Sequence, residues 1–157
     1  MGVLASTLAS CAGTGPDLDA GSDVFEGLDP EVVAEVMANP VAWGKVQEED
    51  EQTRASMAQG IVRNFIQCRG AFDAYRSWVT TGTTPEVPVV DAVVHPLEPA
   101  AGAIEQSQAY IEDAIASGEP ARLKDFLVGE ARCGEWIPVE PGRPDGPTIE
   151  DALGALG

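Results

Sequence analysis

Three cysteines, Cys11, Cys68 and Cys133, are the side chains of this sequence with the widest chemical range. A thiolate can be acylated, oxidised to a disulfide or bound to a metal ion, and its surroundings decide which of these occurs. No two of the three form the Cys-x-x-Cys pair that is typical of zinc sites and thioredoxin-like redox sites. We therefore expect no zinc site from these cysteines.

The single histidine, His95, is a second candidate for chemistry, and it directly precedes Pro96. At this predicted helix start we expect a capping role or simple exposure. The chain contains no Gly-x-Ser-x-Gly, His-Glu-x-x-His or Walker-type glycine loop, although a Ser-His-Asp triad assembled in space would leave no such motif. The sequence predicts a protein that is not an enzyme and takes no cofactor.

The carboxylates of the sequence are the basis for an alternative, catalytic function. Glu98, Glu105 and Glu112 recur at a constant interval of about two helical turns, and with Asp113 they are typical of a solvated helix face. Glycosidic cleavage needs instead two acids that face one cleft. The alternative function is a small extracytoplasmic hydrolase that uses Glu or Asp carboxylates, and a deep pocket with convergent carboxylates would favour it.

The N-terminal segment differs in composition from the rest of the chain. Residues 1–15 carry no charge, and an acidic stretch begins at Asp17, which is typical of a processing boundary. Within this segment, Leu8-Ala9-Ser10-Cys11 resembles the lipobox of prokaryotic lipoproteins. The resemblance implies that Cys11 is diacylated and becomes the new N-terminus. It also implies that the mature protein is anchored to a membrane outside the cytoplasm.

The apolar run before Cys11 is short and contains no Lys or Arg, with which a signal peptide normally opens. We therefore expect residues 1–10 to be the end of a signal peptide that starts upstream of Met1, with Cys11 as the residue that is kept. Two other interpretations stay open. Gly2 and Ser6 fit a myristoylation pattern, or the segment is an unstructured apolar start with a chance cysteine.

Acylation of Cys11 would leave Cys68 and Cys133 as an even pair, and an oxidising compartment favours a disulfide between them. Both fall on apolar stripes of predicted helices that we expect to pack together. In the chain-entropy picture the long loop between them would stabilise the fold by roughly 4 kcal/mol. The alternative is two reduced cysteines in the core.

Hydrophobic spacing predicts an all-α fold, a small bundle of three to four helices with one disulfide and flexible N- and C-terminal tails. The clearest helix runs from about Gln47 to Thr80, with a first turn rich in acidic residues. Its apolar positions repeat at alternating intervals of three and four, namely Ala58, Ile61, Phe65, Cys68, Phe72, Tyr75 and Val79. Other helices are predicted to open at Asp29-Pro30, near Pro96 and at Pro120, and Thr148 is predicted to cap a last helical turn.

This pattern divides the chain into four parts. Residues 1–11 comprise the truncated signal peptide and the lipobox, and 12–28 form a flexible linker rich in Gly, Pro and Asp. Residues 29–136 form the helical domain, and 137–157 a tail rich in Pro and Gly with a short terminal helix.

Acidic residues outnumber basic ones, 26 to 9, which gives a net charge of −17. Such a surface repels phosphate backbones, and no basic stripe is present, so we expect no nucleic-acid binding. Solubility is the ordinary interpretation of the excess. No apolar stretch reaches the ~18 residues that a membrane-spanning helix needs.

These features predict a noncatalytic binding lipoprotein at the cell envelope, with a membrane contact through lipid and a protein partner. In size and tether it is similar to phage- or prophage-encoded exclusion lipoproteins, an analogy that no particular residue carries. Trp78 and Trp136 are candidates either for a binding groove or for partial core.

Overall fold

The computed structural model describes residues 18–19, 21–88, 100–131, 133 and 136–157. Across these ranges the chain is all-α, as predicted, with six α-helices and no strand. The helices are α1 (Pro30–Ala38), α2 (Pro40–Glu48), α3 (Glu51–Thr81), α4 (Ala100–Ala116), α5 (Pro120–Asp125) and α6 (Ile149–Leu156). A 3₁₀ turn (Asp23–Phe25) precedes α1, and a π-helical turn (Phe126–Glu130) continues α5.

The long helix α3 is the centre of the fold, and α1, α2, α4, α5 and α6 all pack against it. Every residue of the predicted apolar stripe is buried except Val79, which is 40% exposed. Trp78 takes that place with 4% exposure, because both positions lie about one turn beyond Tyr75 and the larger ring covers the end of the core. Within the described ranges no helix has the length and apolar character that crossing a bilayer requires.

The start of α3 differs from the prediction. The Asp50 carboxylate caps this helix by accepting hydrogen bonds from the backbone nitrogens of Gln52 and Thr53, at 2.9 and 3.0 Å. A capping residue has extended rather than helical backbone, so the helix predicted from Gln47 is interrupted here and Glu48 ends α2. The acidic residues expected in one first turn are therefore divided between two helices.

Caps of this kind make stability depend on pH at the acid end. Backbone and side-chain hydrogen bonds from Thr53 lower the pKa of Asp50, and those from Thr148 lower the pKa of Asp151 in the capping box of α6. A carboxyl group whose pKa is lowered in the folded state stabilises the fold at pH values above its ordinary pKa of 3.8. That contribution is lost as the pH falls through the folded-state value.

We therefore expect an Asp50→Asn/Asp151→Asn variant to lose less unfolding free energy between about pH 7 and about pH 3 than the wild type. Urea titrations at the two pH values measure this difference. Asp113→Asn, at an exposed position of α4, is the matched control and should behave as the wild type does. If the capping variant and the wild type lost equal amounts of unfolding free energy, a lowered pKa of the two capping carboxyl groups would be contradicted.

Part of the predicted linker 12–28 belongs to the folded unit. Phe25 and Leu28 are buried in the core, and Gln59 Nε2 of α3 donates a hydrogen bond to the Val24 carbonyl at 2.8 Å. Gly, Pro and Asp dominate the composition of this segment and conceal its few apolar anchors. The chain is thus packed against α3 several residues before α1 begins.

The C-terminal segment 137–157 is also part of the fold rather than a flexible tail. Ile137 and Ile149 are fully buried, and Leu153 of α6 is nearly so. Proline and glycine prevent regular structure between these residues, but they do not prevent burial of the apolar side chains that flank them. The predicted cap at Thr148 is confirmed, since its side chain accepts a hydrogen bond from Asp151 N.

The disulfide predicted from the sequence is confirmed. Cys68 in α3 and Cys133, beyond the π-helical turn, are bonded with their Cα atoms 5.5 Å apart. Both residues are fully buried. The bond joins the middle of the central helix to the segment that leads into the C-terminal part of the fold.

Candidate binding site

A buried ion pair connects α1 to α3. Arg69 Nη1 and Nη2 donate to Glu35 Oε2 and Oε1 at 2.8 and 2.5 Å, and the two side chains are 10% and 5% exposed. Arg69 Nε also donates to the Pro138 carbonyl at 2.9 Å. A bidentate arginine–carboxylate pair is among the strongest side-chain contacts, so one guanidinium group holds α1, α3 and the start of the C-terminal segment together.

The segment that begins at this contact is a compact loop, residues 138–147, here named the C-terminal loop. Its base is closed by two antiparallel backbone hydrogen bonds. Val139 N donates to the Pro147 carbonyl and Ile149 N to the Ile137 carbonyl, each at 3.0 Å. The buried arginine and this closure hold both ends of the loop.

The tip of the C-terminal loop has its own local contacts. Gly142 has a φ of 72°, which glycine adopts without the steric cost that other residues meet. Arg143 Nη1 pairs with Glu140 Oε2 at 2.9 Å across the exposed turn. The loop therefore combines a fixed base with a turn that its own residues favour.

The C-terminal loop forms one wall of three clefts. The largest, named the α1 cleft, has a volume of about 510 Å³. Its walls are Glu31, Ala34, Glu35 and Ala38 of α1 and Pro141, Gly142 and Pro144 of the loop. A cleft of about 250 Å³ adjoins Pro141 on the other side and includes Arg69, and a third, of about 340 Å³, lies between α3 and α6.

The α1 cleft joins acidic and small apolar surface. Glu31 is exposed and has no ion pair among the described residues, whereas each Glu35 oxygen accepts from Arg69. The Glu35 side chain is 5% exposed and its charge is balanced by Arg69, so Glu31 carries the unbalanced negative charge of the cleft. The arrangement suits a ligand that carries a positive charge and hydrogen-bond donors.

The same geometry does not provide paired acids for hydrolysis. Glu31 and Glu35 lie one turn apart on the same helix, and the opposite wall contributes only proline and glycine. Glycosidases place two carboxyl groups on opposite sides of the bond that is cleaved.

The residues singled out by sequence lie elsewhere. Glu105, Glu112 and Asp113 are exposed on α4, as the solvated-face interpretation predicts. Cys11, His95 and Glu98 lie outside the described residues.

Neither candidate tryptophan lines the three clefts. Trp78 is core. Trp136 is partly buried, and its ring lies edge-on to Phe65 with 5.1 Å between the ring centroids. Lys45 Nζ lies 5.1 Å from the centroid of the Trp136 ring. Both therefore follow the partial-core interpretation.

Sequence reasoning missed Arg69 and Glu35, which organise the site. The available signal was a charged residue beside Cys68 in the apolar stripe of α3. Buried charges are almost always paired, so an arginine at this position indicates an acidic partner elsewhere in the chain.

The site offers carboxylates and carbonyl groups, but they are dispersed. Among the described residues no group of three or more His, Cys, Asp or Glu side chains converges as metal ligands do. Compared with known proteins, the chain matches no protein family, no curated protein and no solved structure at a significant level.

Proposed function

We propose that this chain is a lipid-anchored binding domain that acts outside the cytoplasm and holds a protein partner at the cell envelope without catalysing a reaction. The buried Cys68–Cys133 disulfide carries the proposal, because such bonds persist in oxidising compartments and are rare in the cytosol. With this pair closed, Cys11 is the one cysteine left for acylation. It stands at the end of the lipobox-like Leu8-Ala9-Ser10-Cys11.

The binding role is supported by the clefts on the C-terminal loop. Their walls are held by a buried ion pair and backbone hydrogen bonds, so a partner meets surface that is already arranged. Preorganised walls reduce the ordering entropy that binding would otherwise lose.

The anchor is tested by acylation of Cys11. The positively charged and apolar regions of an unrelated bacterial signal peptide are joined directly before Leu8, so that the lipobox remains that of this chain. We expect the exported protein to incorporate an alkyne-labelled fatty acid and to sediment with membranes. Cys11→Ser should lose the label and be recovered in the soluble fraction, because two acyl chains anchor a protein stably whereas none leaves it free.

The matched control is Cys68→Ala/Cys133→Ala, which removes the other two cysteines and should keep the label on Cys11. Labelling that persists in Cys11→Ser would assign the lipid to another residue. An exported wild-type protein that stays unlabelled and soluble would overturn the anchor.

A further inference from the structure

We infer that the α1 cleft is the docking site for the partner and that its occupant is an arginine-bearing extended segment of that partner protein. The inference rests on the proposed binding function but is independent of the lipid anchor. It follows from the charge, the shape and the rigidity of the cleft.

Charge selects a cationic occupant. Glu31 and Glu35 are the ionisable side chains that line the cleft, and Glu31 has no ion pair among the described residues. The cation paired with Glu35 is Arg69 of α3, which does not line the cleft, and Arg143 in the loop is paired with Glu140. The net charge of −17 adds a long-range field that attracts basic partners and repels acidic ones.

Shape selects arginine among cations. Ala34 and Ala38 are exposed one turn apart on α1, so the helix presents small side chains and another chain can approach closely. The facing wall holds the rings of Pro141 and Pro144. A planar guanidinium group packs on flat apolar surface and donates in pairs to carboxylates, whereas a lysine ammonium group is compact and strongly hydrated.

Size selects an extended segment. A volume of about 510 Å³ is in the range of small-ligand sites and is too small for a helix, whose diameter with side chains is about 10–12 Å. One arginine with its neighbouring backbone is the largest protein element that we expect the cleft to enclose. The remainder of the partner would contact the rim.

The test is a chemical-shift titration of the full chain with the blocked peptide acetyl-Gly-Arg-Gly-amide. We expect the largest shifts at Ala34, Ala38 and Gly142, with a Kd of about 1 mM, as befits one anchoring side chain. Replacing Arg by Lys should weaken binding by about threefold or more, and replacing it by uncharged citrulline should abolish it.

Two variants with matched controls separate the cleft from general acidity. Ala38→Leu fills the cleft without changing charge and should weaken binding by about tenfold or more, whereas Ala103→Leu, at an exposed position of α4, should leave it unchanged. Glu31→Gln should weaken binding by about threefold, whereas Glu112→Gln, which removes the same charge from α4, should change it by less than about twofold.

Several outcomes would overturn the inference. They are an absence of shifts, shifts spread over the acidic surface, equal binding of the Lys peptide, and equal effects of the variants and their controls. Loss of acylation with intact cleft binding would overturn the anchor alone. An acylated chain with an inert cleft would overturn this inference alone.

Discussion

Opening the Cys68–Cys133 disulfide is expected to lower the free energy of unfolding by about 4 kcal/mol. The bond closes a loop with a sequence separation of 65 residues, and a cross-link over that distance removes much conformational freedom from the unfolded chain. Domains are typically stable by only ~5–15 kcal/mol. The reduced protein should therefore retain only a fraction of its stability.

The measurement is urea unfolding of the oxidised protein, the reduced protein and Cys68→Ala/Cys133→Ala. The reduced protein and the double variant should unfold at similar, much lower urea concentrations. Both cysteines are fully buried, so reduction of the folded protein should be slow and is best begun in denaturant. Cys11→Ser, studied with and without reductant, shows whether Cys11 contributes to the effect.

An unchanged unfolding midpoint on reduction would contradict this expectation. So would the finding of two alkylatable thiols at these positions in the exported protein. The predicted mass-spectrometric signature is a non-reduced peptide pair that contains both cysteines. Its presence would also support the oxidising compartment on which the proposed function depends.

Local signals in the sequence were enough to predict most of the helices, but α2 was not predicted as a separate helix. The caps predicted at Asp29 and Thr148 are confirmed, and the left-handed glycine Gly82 ends α3. Each of these signals involves residues within about one turn of one another. The apolar stripe of α3 is equally local, since it follows from the helical period alone.

The candidate site could not be predicted in the same way, because its contacts join distant parts of the chain. Glu35 is 34 residues from Arg69, and Pro138 is 69 residues beyond that arginine. The local sequence of α1 does not determine which charged residue pairs with Glu35, because the pairing depends on how α1 packs on α3. Composition was also misleading at both ends of the domain, since glycine and proline concealed the buried Phe25 and Ile137.

The ion pair links the stability of the fold to the shape of the proposed binding site. Arg69 is bonded to Glu35, which lines the α1 cleft, and to the Pro138 carbonyl at the start of the C-terminal loop, so it ties α1 to the loop that forms the opposite wall. Buried ion pairs often add little net stability over apolar replacements of similar volume. The effect of this ion pair on the free energy of unfolding is therefore best measured by removing only one of its two partners.

Arg69→Met is expected to lower the free energy of unfolding by about 3–5 kcal/mol, because it leaves the Glu35 carboxylate buried without its cation. Glu35→Leu/Arg69→Met removes both charges and should recover most of that loss. The matched control is Arg143→Met in the C-terminal loop. It breaks the ion pair with Glu140, whose partners are 69% and 59% exposed, and should change stability by less than about 1 kcal/mol.

Urea unfolding of the four proteins measures these differences, and the two functions of the pair can then be separated. The double variant should be stable, yet it lacks both the Nε–H donor that holds the Pro138 carbonyl and the Glu35 carboxylate of the α1 cleft. We therefore expect restored stability together with weakened binding of the Arg peptide. A loss below about 1 kcal/mol in Arg69→Met would contradict a buried pair, and full peptide binding by the stable double variant would show that the pair supports the fold alone.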